Sequence, residues 1–182
     1  MALFNKINAS QTYPYGEENA VGSFYLWLTK LFKHPKGYSI FFDKDKQEFS
    51  NRQLETFPNL TVQEIDTLDL TETYIGGKAN KASVLFYIYV NHHLKYKGTR
   101  QLLRRGRDQI MFALKMAGII DPTTKDFYID PIYFYDFSNP DSPTKLNTVL
   151  TVKPGIQQRF IQDGELLQFE LMVTLTYMET LT

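Results

Sequence analysis

The chain has 182 residues, of which 43% are hydrophobic and 15% aromatic, so it is long enough to bury a core and too apolar to be disordered. Its 20 basic and 20 acidic residues give a formal charge of zero, whereas proteins that coat nucleic acid are usually basic. The absence of cysteine excludes disulfides, thiol catalysis and cysteine-ligated zinc. The N-terminus lacks the apolar run of a signal peptide, and no run approaches the roughly 20 apolar residues of a membrane span. These features predict a soluble protein made inside the cell.

The first part of the chain is predicted to form an arm, a helix and three strands. Residues 1–18 show little periodicity and are predicted to be an irregular arm that reaches a neighbour. Apolar residues then recur at helical spacing, which predicts a helix over Asn19–Lys33 with Trp27 off its apolar face. Short apolar or alternating runs predict strands at Tyr38–Phe42, Leu60–Leu68 and Leu70–Ile75.

The middle of the chain is predicted to be a central strand followed by a long helix. Ser83–Asn91 is apolar on both pleat faces, which is typical of a strand with structure packed on each side. The glycines of Gly76-Gly-Lys78 predict the hairpin turn that leads into this strand. Thr99–Ala117 stops before Gly118, which predicts a helix of about five turns. Its apolar residues at helical spacing share one face, which is predicted to be the buried one: Leu103, Gly106, Ile110, Ala113, Leu114 and Ala117.

Short strands and loops are predicted after this helix. Phe127–Phe137 has the composition of a strand, and Pro131 confines it to the edge of a sheet or to a break. Residues 138–143 form a polar, proline-rich loop. Val149–Val152 and Gln157–Ile161 are predicted to be two short strands separated by a Pro-Gly pair.

The order of these elements determines the predicted fold class. Asp163-Gly164 is a hairpin turn signal, and Gln168–Met178 after it alternates cleanly between apolar and polar residues. No linker or internal repeat divides the chain. We predict a single α+β domain over residues 19–182, with a mixed, mostly antiparallel sheet on which one N-terminal helix and one long central helix pack.

Six basic residues are concentrated in thirteen positions at the start of the long helix: Lys95, Lys97, Arg100, Arg104, Arg105 and Arg107. Arginine in the first turns opposes the helix macrodipole, whose N-terminal end favours anions. Another interaction must therefore offset the unfavourable electrostatic energy of these arginines. Three interpretations remain open: a solvated face with local ion pairs, a contact with an acidic subunit surface, and a contact with nucleic acid.

Acidic and apolar residues elsewhere suggest a subunit interface. The acidic residues that can complement the basic segment include Asp66, Asp69 and Glu72 on the predicted middle strands, and Glu165 and Glu170 near the end. Phe112 and Met116 lie on the remaining side of the long helix, where they are either exposed at an interface or covered by the N-terminal helix. We hypothesise that the basic segment, Phe112, Met116 and the three strand acids form the interface.

The sequence contains no recognisable catalytic or metal-binding motif. His92 and His93 are adjacent on a strand and point to opposite faces, so they cannot chelate one metal ion together. Asp43-Lys-Asp45 lacks the glycine and the closing glutamate of a calcium loop. Gly76-Gly-Lys78 lacks the remaining residues of a phosphate-binding loop. We predict that the protein is not an enzyme and uses no cofactor.

The order of elements resembles that of the tail terminator, or tail-completion, proteins of long-tailed bacteriophages. The segments that carry the resemblance are Asn19–Lys33, Ser83–Asn91, Thr99–Ala117 and Gln168–Met178. The lead-in Tyr96-Lys-Gly-Thr-Arg100 and the helical stretch Leu102-Leu-Arg-Arg-Gly-Arg-Asp-Gln-Ile-Met111 add to it.

The resemblance implies a structural protein of the virion, located in the tail or neck and made in the host cytoplasm. Proteins of that family form a six-fold ring on the finished end of the tail tube, stop its polymerisation and join the tail to the head connector. The implied partners are further copies of the chain, the tail tube protein and a connector or stopper protein. DNA passes through the lumen without specific binding, and no membrane or cofactor is involved.

Two other interpretations remain open. The first is another neck or tube structural protein of a phage, such as a stopper or a tube-like subunit. The second is a nucleic-acid-binding module that uses the basic segment from Lys95 to Arg107 on phosphates.

Overall fold

A computed structural model of the chain describes residues 15–32, 38–42, 58–74, 79–95 and 97–180; of these, residues 66–74, 79, 80, 156–158, 163, 179 and 180 are described by their backbone alone. The predictions for residues 1–14, 43–45 and 76–78 lie outside this part. The helices and strands are α1 (Glu17–Phe32), β1 (Ser39–Phe42), β2 (Asn59–Tyr74), β3 (Ala79–His93), α2 (Thr99–Met116), β4 (Ile132–Asp136), β5 (Thr144–Asp163) and β6 (Leu166–Thr180).

The six described strands form one sheet in the order β1-β2-β3-β6-β5-β4. All neighbours pair antiparallel except β1 and β2, which pair parallel. Strands β3 and β6 lie in the middle and pair along their whole length, from Ala79 opposite Thr180 to His93 opposite Leu166. The predicted class, a single α+β domain with a mixed and mostly antiparallel sheet, is confirmed.

Both helices pack on the same face of this sheet. On β3 this face is formed by buried even-numbered residues such as Phe86, whose ring centroid lies 5.1 Å from that of Phe24 in α1. Helix α2 approaches the same face so closely that a Cβ on Gly106 would lie 3.0 Å from Val90 Cγ1. The opposite face carries half-buried residues such as Tyr87. The sequence predicted structure packed on both faces of β3. This prediction was wrong as far as the described helices are concerned, because both of them cover the same face.

Several predicted boundaries also change. Strand β2 is one continuous strand with register shifts after Glu64 and Leu68, where two strands were predicted. Strand β5 is likewise continuous, and its register shifts between Pro154 and Gln158. In both cases pairing with the neighbouring strand continues beyond the irregularity, because a bulge accommodates extra residues without ending the ladder. The predicted burial of the apolar residues of β6 is confirmed, since Phe169 and every second residue up to Tyr177 are buried, but Gln168 and Glu170, which were predicted to point outward, are buried as well.

Helix α1 covers the outer edge of β4. Its side chains at helical spacing bond to the backbone of the β4 segment: Asn19 Oδ1 accepts from Phe137 N at 3.1 Å and Ser23 Oγ accepts from Tyr135 N at 2.8 Å. Trp27 Nε1 donates to the Asp130 carbonyl at 2.8 Å. Trp27 is buried for this reason, although the sequence pattern placed it off the apolar face. The edge of the sheet is thus protected by a helix.

Replacing Ser23 by alanine is expected to lower the free energy of unfolding by about 1–3 kcal/mol, because the Tyr135 N–H loses its only protein acceptor in the described structure. The matched control is Thr29→Ala, since among the described residues Thr29 Oγ1 bonds to the Tyr25 carbonyl of its own helix and to no other element. Urea unfolding followed by circular dichroism measures both. Equal losses for the two variants would contradict the role assigned to Ser23.

Candidate interaction surface

Helix α2 presents an exposed basic face. Its buried side consists of Leu103, Gly106, Ile110, Ala113 and Leu114, as predicted. On the opposite side Arg100, Arg104 and Arg105 are exposed, and none of the three forms an ion pair with a described residue. Lys95 and Lys97 are exposed in the lead-in. The arginines therefore lack an acidic partner within the described part of the chain.

Arg107 differs from the other arginines. Its guanidinium forms an ion pair with Asp108 at 2.8 Å and lies 5.7 Å from the ring centroid of Phe169. This side chain is about two-thirds buried. The interpretation as a local ion pair therefore holds for Arg107, which is occupied within its own chain.

The N-terminal end of α2 carries no compensating negative charge. Its first turn contains no acidic residue, and Gly98 at the N-cap provides no side-chain hydrogen bond. Thr99 Oγ1 instead donates to the His93 carbonyl at 3.0 Å, which ties the helix to the end of β3. The positive end of the helix dipole and the exposed arginines thus contribute positive potential to the same surface. This surface favours an anionic partner.

Phe112 is exposed on the outer side of α2, away from its buried face. Its exposed fraction is 51%, so neither α1 nor any other described element covers it, and the interpretation that α1 covers it was wrong. Leu102 is also exposed, whereas Met116 is half-buried. Exposed large apolar side chains on one helix side are typical of an interface.

Replacing Phe112 by aspartate is expected to change the free energy of unfolding by less than about 0.5 kcal/mol, because the ring is in contact with solvent. The matched control is Ile110→Asp, which buries a carboxyl group in the core and is expected to unfold the protein. Thermal unfolding followed by circular dichroism distinguishes the two. A large loss of stability for Phe112→Asp would place this ring in a packed environment.

A second apolar region, not anticipated from the sequence, lies beyond the end of α2. Ile119, Phe127 and Val149 are 48%, 41% and 55% exposed and line one cleft of about 550 Å³. The Tyr128 N–H bonds to the Ile119 carbonyl at 2.9 Å, which holds the loop against the helix end. The only signal in the sequence was a pair of isoleucines between Gly118 and a turn, a place where polar residues are usual.

The strand acids of the hypothesised interface lie on the second half of β2. Asp66 pairs with Leu85 and Glu72 with Lys81 of β3, and Asp69 lies within the irregular stretch between them. Strand β1 pairs only with the first four residues, Asn59–Val62. From Gln63 to Tyr74 the outer side of β2 therefore has no described strand as its neighbour.

The acids near the C-terminus are used within the chain. Glu170 is buried and accepts a hydrogen bond from Arg159 Nε at 2.8 Å. Burial and the adjacent Glu170 carboxylate raise the pKa of Tyr89 above its usual range, so its hydroxyl stays protonated. Glu165 lies 3.1 Å from His93 Nε2. Glu170 is therefore occupied within its own chain, whereas the Glu165 side chain remains 83% exposed beside His93.

The two adjacent histidines have a structural role. His92 Nδ1 accepts from the His93 N–H at 2.9 Å, and His93 Nδ1 accepts from the Lys95 N–H at 3.2 Å. Burial lowers the pKa of His92 and favours its neutral form. In the described residues no group of histidines and carboxylates is arranged to hold a metal ion. No described helix is long and apolar enough to cross a membrane.

Comparison with known proteins adds little to this geometry. No protein-family model matches the chain, and no curated protein matches it. One solved structure, which bears only a sequence identifier, superposes with a TM-score of 0.44 at 6% identity, over 89% of this chain and 95% of the other. A similarity of this degree carries no argument about function, so the function has to be argued from the residues themselves.

Proposed function

We propose that this chain is a structural protein of a long-tailed bacteriophage that forms a ring at the head-proximal end of the tail tube. The ring ends polymerisation of the tube and joins the tail to the head connector. The observation that carries the proposal is the outer side of α2, where three arginines have no ion pair among the described residues and Phe112 is exposed. A monomer gains nothing from this arrangement, whereas a subunit of a ring buries it.

The fold supports the proposal through its element order. An N-terminal helix, a hairpin into a central strand, a long basic helix and a final alternating strand follow one another as in the tail terminator proteins that the sequence resembles. A chain of zero net charge with a basic surface and acidic segments elsewhere suits contacts between copies. In this role the protein catalyses nothing and needs no cofactor.

The test combines solution mass with a binding assay. We expect light scattering and negative-stain images of the full chain to show a closed ring of about six copies, and we expect these rings to bind the ends of tail tubes polymerised from the tube protein of the same genome. Tubes grown with the chain present should be shorter. Tube lengths that do not change on addition of the chain would contradict the proposal.

A nucleic-acid-binding module is the second candidate, because the exposed arginines of α2 are also suited to phosphates. Binding of this kind weakens steeply as salt increases, with about one unit of log-log slope for each phosphate contact. Titration of the chain with a labelled duplex at two salt concentrations tests it. A steep salt dependence together with no effect on tube length would favour this candidate over the ring.

A further inference from the structure

A pocket of about 290 Å³ lies between helix α1 and the paired strands β4 and β5. Trp27 and Lys30 of α1 line one side of it, and Tyr133, Tyr135 and Lys145 line the strand side. Its volume is close to the lower limit of about 300 Å³ for small-molecule sites. The pocket therefore has room for one small organic group and is too small for a helix of a partner protein.

Two lysine side chains in this pocket are positioned by tyrosine rings. Lys145 Nζ lies 3.2 Å from the ring centroid of Tyr133. Lys30 Nζ lies 5.1 Å from the ring centroid of Tyr135 and donates a hydrogen bond to its hydroxyl oxygen at 3.4 Å. An ammonium group has more hydrogen-bond donors than these contacts use. Each lysine therefore retains donors for a further acceptor.

The positive charge of this pocket is not balanced by the described residues that line it. Neither Lys30 nor Lys145 forms an ion pair with a residue that the structure describes. Asp130 is the acidic residue among the described lining residues, and its exposed carboxylate also lacks an ion pair with any described side chain. Its backbone carbonyl accepts from Trp27 Nε1 at 2.8 Å. Two ammonium groups against one carboxylate leave one net positive charge on this lining.

Each lysine taken alone has another physical explanation. Lys30 lies in the last turn of α1, where a positive charge interacts favourably with the helix dipole. Lys145 gains a cation–π contact with the ring of Tyr133. These explanations account for each charge separately and predict no binding of anions. The convergence of both lysines on one pocket predicts such binding, so a titration distinguishes the two.

We propose that this pocket binds a small monoanion in which a carboxylate is attached to an apolar or aromatic group. The carboxylate accepts charge-assisted hydrogen bonds from Lys30 and Lys145, and the apolar group lies against the half-buried Leu26 and Leu31 of α1. A dianion such as phosphate exceeds the net charge of the pocket and is repelled by the Asp130 carboxylate. The proposal does not depend on the proposed function.

The test is a titration of the full chain with hydrocinnamate, an aromatic carboxylate, followed by saturation-transfer NMR. We expect a Kd on the order of 1 mM, which is typical of a ligand of this size. Hydrocinnamide has the same shape without the charge, and it is expected to bind at least ~10-fold more weakly because it forms no charge-assisted hydrogen bond.

The fluorescence of Trp27 shows where the ligand binds. Trp27 is the only tryptophan of the chain and lines the pocket. Its emission is expected to change on addition of hydrocinnamate with the same Kd that NMR gives. Binding detected by NMR with no change in this emission would place the ligand elsewhere and overturn the proposal.

Variants test the role of the two lysines. Lys30→Gln with Lys145→Gln is expected to weaken binding of hydrocinnamate at least ~10-fold, because both charged donors are removed. The matched control is Lys97→Gln, an exposed lysine in the lead-in to α2, which is expected to leave the Kd unchanged. Both pocket lysines are exposed, so the variant should remain folded, and circular dichroism verifies this.

Further ligands identify the source of the anion. A capped Glu-Phe dipeptide that binds more tightly than hydrocinnamate would assign the pocket to an acidic side chain of a peptide, whereas weaker binding would assign it to a free organic acid. The proposal is overturned if hydrocinnamide binds as tightly as hydrocinnamate, if the double variant binds as tightly as the unmodified chain, or if phosphate binds more tightly than either carboxylate. Absence of any binding well above the expected Kd overturns it as well.

Discussion

Replacing Phe86 by alanine is expected to lower the free energy of unfolding by about 3–5 kcal/mol, the range typical of a large buried ring. Phe86 is fully buried at the centre of β3, and its ring centroid lies 5.1 Å from that of Phe24 and 6.0 Å from that of Tyr25. Deleting the ring removes its contacts with α1 and leaves a cavity between the helix and the sheet. The effect is large because packed neighbours relax only partly into the space.

Urea unfolding at equilibrium measures this change. Phe112→Ala is the matched control, because it removes the same ring from a position that is 51% exposed, and we expect a loss below about 1 kcal/mol. A loss for Phe86→Ala no larger than that of the control would show that α1 does not pack on β3 as described. The pair also separates residues of the core from residues available for assembly.

Replacing Asn91 by alanine is expected to lower the free energy of unfolding by about 3 kcal/mol or more, because three buried polar groups lose their partner together. Asn91 lies in the middle of a row of amides across β2, β3 and β6. Its Nδ2 donates to Asn59 Oδ1 and Thr61 Oγ1, each at 2.9 Å, and its Oδ1 accepts from Gln168 Nε2 at 2.7 Å. Each buried group left without a partner costs about 1–3 kcal/mol.

A second substitution tests whether the cost arises from these unpaired groups. Gln168 contributes one bond to the row, and its Oε1 is buried without a partner. In the Asn91→Ala background, Gln168→Leu is therefore expected to restore part of the lost stability, because it removes both polar atoms from a buried position. A further loss in the double variant, measured by urea unfolding, would show that Asn91 acts by packing rather than by hydrogen bonding.

The surface that supports the proposed function was only partly predictable. The spacing of Leu103, Gly106 and Ile110 identified the buried side of α2, and by exclusion its basic side, because helical geometry relates these positions directly. Whether Phe112 was exposed depended on where α1 packed. The apolar cleft at Ile119 joins segments that are distant in the sequence, so no local pattern indicated it.

Partners of charged residues could not be predicted either. Arg107 was predicted to lie at the interface, and Glu170 was predicted to be one of the acidic residues that complement it. Each of the two is instead paired within its own chain. The pairing of Glu170 with Arg159 arises from the register of β5 against β6, which places the two residues opposite each other. Register results from the packing of whole strands and is not encoded at any single position.

Elements with local signals could be predicted from the sequence alone: the length of α2, the apolar face of β6 and the turn at Gly164. The sequence also indicated the α+β class and the concentration of basic charge at the start of α2. The packing of both helices on one face, the continuity of β2 and the burial of Trp27 against the β4 segment became visible in the three-dimensional structure. A local sequence pattern gives the period of a single helix or strand. The packing of the helices, the continuity of β2 and the burial of Trp27 depend instead on contacts between segments that are distant in the sequence.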